Sequence, residues 1–154
     1  VETANTGRNT GRGRPLGLSL PWIFGLALLG VPRVVAHDLG PPPQAVNAVL
    51  VFVPVAVWIA VALRKRVPSP LVTLLAVGLV YGVLLGAVHQ VLWTHSFAGG
   101  APELGGNLAG TLSPAAEDLV LRGASMVSSL FTGALVGLIS GLVALGLSRA
   151  LHRK

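Results

Sequence analysis

The side chains best suited to chemistry in this sequence are His37, Asp38, His89, His95, Glu117 and Asp118, with Arg33 beside them. Imidazole is a common ligand of both copper and haem, so His37, His89 and His95 make a candidate metal site. Their spacing carries no ligand signature: there is no HxxxH pair on one helix and no HExxH. The chain also has no cysteine, so thiolate sites, disulfides and thiol nucleophiles are excluded. The competing reading makes the histidines interfacial residues at the C-terminal ends of outward-running helices, where the helix dipole favours them. We therefore expect no cofactor, copper and haem being the ones these imidazoles would suit.

Glu117 and Asp118 resemble the paired carboxylates of acid-base catalysis, but they follow Ser113-Pro114. That pair reads as an N-cap with proline at the first helical position, and acidic residues in a first turn need no catalytic explanation. Ser19, Ser128, Ser129 and Ser140 have no base nearby in sequence, and the adjacent His37 and Asp38 do not make a triad by themselves. The segment Gly99 to Gly110 lacks the lysine and the strand-to-helix setting of a phosphate loop. A protein that is not an enzyme is the expectation. Arg33 is a functional candidate if it lies at membrane depth, where Asp38, Glu117 or Asp118 would pair with it. Its place near a helix end favours an interfacial anchor that snorkels outward.

The elements that must position these residues follow from composition. Of 154 residues 53% are hydrophobic and 10% charged, against roughly 25% charged in a soluble domain. The excess of 11 basic over 5 acidic residues would suggest nucleic acid on a soluble chain. Here the basic residues lie between apolar runs, so membrane topology explains them and nucleic acid is not an expected partner.

Residues 1–15, with Arg8, Arg12 and Arg14, read as a disordered basic cytoplasmic arm. Residues 16–154 read as one four-helix transmembrane domain. Its apolar stretches are Leu16 to Ala36, Gln44 to Leu63, Leu71 to Trp93 and Gly123 to Leu147, each near the roughly 20 residues that cross a hydrocarbon core. Residues 95–113 form a Gly-rich outer loop. If Ser113 starts the last helix, it runs roughly 35 residues, about 50 Å, and must tilt, project or break, with Gly123 to Ser129 the plausible break. An alternative for the first stretch is a secretory signal cleaved after Ala36, which would free the His37 amine and imidazole to chelate Cu(II).

With both termini inside, nine of the 11 basic residues fall on the inner side, and only Arg33 and Arg122 lie outside. Glycine recurs every fourth residue as Gly78, Gly82, Gly86 and again as Gly133, Gly137, Gly141, the second run extended upstream by Ser125 and Ser129. Such ladders predict close packing of the third and fourth helices within one subunit, with a homo-oligomer as the alternative. His89 lies within about 20° of the Gly78 direction and should face a neighbouring helix.

These observations describe an all-α, multi-pass protein of the cell membrane, N-in and C-in, in contact with the lipid bilayer and open to a homo-oligomer or a larger membrane complex. The leading functional expectation is a non-enzymatic accessory or assembly subunit acting through helix packing and its outer polar face. A small oligomeric channel or transporter is the second reading, although no Asp or Glu lies near the middle of a helix. An outward metal- or haem-binding protein using His37 and His89 is the third.

Overall fold

The computed structural model describes residues 16–97, 99–100 and 102–151, so the expected basic arm and the last three residues lie outside the described residues. The described residues contain no strand. In chain order they form α1 (Leu20–Leu28), α2 (Val31–Leu39), α3 (Gln44–Arg64), α4 (Pro70–Val91), the short α5 (Trp93–Ser96), a 3-10 turn (Gly106–Leu108) and α6 (Pro114–Leu151). Among them four stretches are long and apolar enough to cross a membrane: Leu20–Leu39 taken together, α3, α4 and α6.

Two expectations about these elements need correction. The first stretch is not one helix ending near Ala36; it breaks at Leu29-Gly30 and runs on through His37 and Asp38 to Leu39. Pro32 causes the break, because its ring would clash with the carbonyl four residues back and it has no N–H to give. Placed in the first turn of α2 instead, it is tolerated. Gly30 fits the break, since a Cβ there would stand 2.5 Å from Tyr81 Cε2. The second correction concerns α6, which runs unbroken for 38 residues. No proline interrupts it, Arg122 Nε reaches Asp118 Oδ2 at 2.7 Å one turn away, and Gly123 has open space where a side chain would be.

The core gathers around α4, whose residues Thr73, Leu74, Val77, Gly78, Tyr81, Gly82, Leu85 and Gly86 are buried. On one side it meets α6 in the largest interface of the bundle. The approach is backbone to backbone: a Cβ on Gly137 would lie 2.6 Å from the Leu74 carbonyl, one on Gly82 2.9 Å from the Ser129 carbonyl, and one on Gly78 would strike the Gly133 carbonyl. Across from this seam, Trp58 of α3 is buried, with its ring 5.8 Å from that of Tyr81. Its Nε1 donates to the Leu26 carbonyl at 2.7 Å, tying α3 to α1.

The helices run up and down, so the bundle has two unlike ends. One gathers the starts of α1 and α4 with the ends of α3 and α6. There Thr73 Oγ1 sits 2.6 Å from the Leu16 carbonyl, and Lys65 Nζ lies 5.2 Å above the Trp22 ring. A Schellman turn closes α3, with Arg66 N–H donating to Leu63 O, Val67 N–H to Ala62 O, and Arg66 at φ 47°. Arg64, Lys65 and Arg66 are exposed at this end. The other end holds the C-termini of α2 and α4, α5, and the first turns of α6. Large apolar side chains stand exposed on the sides between, among them Phe52 (69%), Val83 (50%) and Phe131 (68%). A soluble protein rarely leaves so much apolar surface to water.

Candidate functional site

At the end away from the basic cluster, α2 and α4 bring together residues 51 positions apart. His89 Nδ1 lies 2.6 Å from Asp38 Oδ2, and the Asp38 side chain is only 2% exposed. A carboxylate accepts and does not donate, so Nδ1–H is the donor; in the neutral ring this leaves Nε2 as an acceptor. His37 approaches the other oxygen, Nδ1 to Oδ1 at 3.3 Å, with its own side chain 60% exposed. One buried carboxylate therefore orients two imidazoles from opposite helices, the closer contact being to the more buried ring. This carboxylate is carried inside the bundle because α2 continues for a turn beyond the apolar run that precedes it.

The pair forms the floor of a cavity of about 460 Å³. Trp93 and Phe97 supply one wall, packed edge to face with centroids 4.8 Å apart, and Leu121, Ser125 and Ser128 of α6 supply the other. The cavity lies where the glycine seam between α4 and α6 ends: a Cβ on Gly86 would meet Met126 Sδ at 2.6 Å, and one turn further on the helices are joined by side chains. Beside it, Arg122 stacks 4.7 Å over the Trp93 ring while pairing with Asp118, and Gln90 Nε2 donates to the Arg122 carbonyl at 3.2 Å. These bonds fix Trp93 and so fix the cavity wall.

The remaining sequence candidates fall elsewhere. His95 is exposed on α5 and is not among the residues lining the cavity. Glu117 accepts the Leu104 backbone N–H at 2.6 Å and pins the loop to α6, while Ser113 Oγ lies 3.4 Å from the Ala116 N–H in the capping position. Ser129, Gly133, Gly137 and Gly141 lie in the seam, whereas Ser125 lines the cavity. Arg33 neither joins the histidines nor pairs with Asp38, Glu117 or Asp118. It turns inward to the Tyr81 phenol, and its buried Nε has no hydrogen-bond partner. With Gly30 against Tyr81 and Asp38 against His89, α2 runs alongside the second half of α4, which puts Arg33 next to the Tyr81 ring.

Trp93, Phe97 and Tyr81 were not singled out by sequence. The available signal was weak: Tyr81 lies three residues after Gly78 within the glycine run, while Trp93 and Phe97 follow the end of that helix. Among the described residues, no group of three or more His, Asp or Glu side chains is placed to hold a metal ion. Comparison with protein-family models, with curated proteins and with solved structures finds no match.

Proposed function

We propose that this chain is a polytopic membrane protein of the cell membrane, N-in and C-in, working as a non-enzymatic accessory or assembly subunit whose outer cavity receives a group from its partner. The observation that carries the reading is the buried Asp38 clamped by His89 at the floor of that cavity, at the end opposite the exposed basic residues. The basic end suits the cytoplasmic face. The apolar walls with one imidazole acceptor suit a group with an apolar body and a hydrogen-bond donor. Packing of α4 on α6 through Gly78, Gly82, Gly133 and Gly137 supplies the rigid pair on which the cavity is built. Ser96 Oγ is spent on the Leu92 carbonyl at 3.2 Å, which counts against it as a nucleophile.

The absence of cysteine makes the topology directly testable. A single cysteine at Thr111 should react with an impermeant maleimide on sealed cells, and one at Arg66 only after the cells are broken open. Blue native electrophoresis then tests the role: wild type should migrate in a complex that His89→Gln releases, and equal migration of the two would overturn it.

A second reading is favoured by one detail. Both imidazoles turn Nδ1 to Asp38, which is how a carboxylate orients metal-ligating histidines through their far nitrogens. Under this reading His37 and His89 would hold copper or haem, and equilibrium dialysis against Cu(II) should show one bound ion lost in His37→Ala.

A further inference from the structure

Arg33 is a half-buried cation whose charge no acidic side chain among the described residues balances. Its guanidinium cannot neutralise itself by losing a proton under physiological conditions. Each acidic residue of the described chain is committed or distant: Asp38 to the two histidines, Asp118 to Arg122, Glu117 to the Leu104 amide, while Glu103 is exposed in the loop. The Nε of Arg33 is buried and makes no hydrogen bond. An orphaned charged donor is costly, more so than a neutral one.

A cavity of about 210 Å³ lies beside it, distinct from the outer one and set between α2, α3, α4 and α6. Its polar side chains are Arg33, Tyr81 and Thr132, and the others, including Val51, Pro54 and Trp58, are apolar. A guanidinium only donates, and the two hydroxyls can turn their protons toward a guest. Among the described residues no acidic side chain lines the space. Such a lining is matched by an anion and mismatched by a cation.

We propose that this cavity is a binding site for a small inorganic monoanion of halide size, held by Arg33 with Tyr81 and Thr132. One negative charge cancels the one positive charge, whereas a dianion would leave an excess charge in a low-dielectric interior. Water would hydrate the guanidinium without balancing it. The anion comes from the aqueous phase: Tyr81 stands 11 residues from Pro70 and 10 from Val91 in α4, about 15 Å from either end, too deep for a lipid phosphate. That depth rests on the membrane-spanning reading of α4; the anion site does not, and the cysteine-labelling test above decides the topology independently.

Trp58 lines the same cavity and reports on it. Replacing the other two of the 3 tryptophans, Trp22→Phe and Trp93→Phe, leaves its fluorescence alone. The protein in phosphatidylcholine nanodiscs is titrated with bromide, a heavy-atom quencher, at ionic strength held constant with gluconate. The expected result is saturable quenching that chloride reverses, with affinity weakened at least roughly tenfold by Arg33→Gln and less by Arg33→Lys. Quenching that rises linearly with bromide and ignores chloride would overturn the proposal, and this arm needs no Arg33 variant to fold. Replacing half the lipid with phosphatidylglycerol should leave the affinity unchanged; abolished quenching would assign the cavity to a lipid anion and overturn the aqueous site.

Discussion

Helices α4 and α6 meet in two different ways along their length, and the difference separates a rigid backbone seam from an adjustable, side-chain-lined cavity. From Leu71 to Gly82 they touch backbone to backbone, so an added Cβ would land within 3 Å of backbone atoms at Gly78, Gly82, Gly137 and Gly141. At Gly86 the contact passes to the flexible Met126 side chain and then to the hydrogen bond from Gln90 to the Arg122 carbonyl, beside a cavity lined by His89, Trp93 and Ser125. In the first region nothing can move without moving a helix. In the second the shape is set by side-chain bonds, which can change one at a time.

The sharpest way to break the contrast is Gly137→Leu. The Leu74 carbonyl is 2.6 Å from where its Cβ would sit and belongs to the helix backbone, so the seam must open, at about 3 kcal/mol. Unfolding titrations in mixed micelles should show this loss with the whole transition shifted; loss of an oligomer around an intact monomer would instead place the stripe between subunits. His89→Ala comes next. It leaves a buried carboxylate with only the longer His37 contact, costing about 2 kcal/mol. Hydrogen exchange should rise at the α2 and α4 C-termini while Gly78 to Gly82 stays protected. His37→Ala, at a largely exposed partner, should cost under about 0.5 kcal/mol by the same titration; equal effects of the two histidines would mean that the carboxylate is shared evenly. The smallest contrast lies within the seam itself. Gly86→Ala meets a movable thioether whereas Gly78→Ala meets the Gly133 carbonyl, so the first should cost under about 1 kcal/mol and distinctly less than the second.

The parts of this architecture that repeat along the chain were readable before any coordinates. A glycine every fourth residue is a local periodicity, and four apolar stretches bounded by proline or basic residues announce four spans, the first of which is broken in two. The site was not readable in that way. His89 and Asp38 are 51 residues apart, and their meeting depends on α2 outlasting its apolar run by a turn. Arg33 was legible as an unusual charge, but its direction was set by the Leu29-Gly30 break and by the space that Gly30 leaves for Tyr81. Pro32 signalled that a break was near without saying which residues would end up facing α4. Gly123, which looked like a weak point in α6, sits on an open face and interrupts nothing.

The unbroken length of α6 has one more consequence. Its 38 residues amount to about 57 Å, nearly twice a 30 Å hydrocarbon slab. The apolar run from Gly123 to Leu147 needs about 37 Å and fits with a moderate lean. Pro114 to Arg122 is then left over as a mast of about 13 Å. On the membrane-spanning reading it would stand beyond the hydrocarbon, carrying Glu117, Asp118 and Arg122 beside the mouth of the cavity. A visitor from the aqueous side would meet that mast first, and a push on its tip would be carried by the same rigid rod down to the Gly137 crossing.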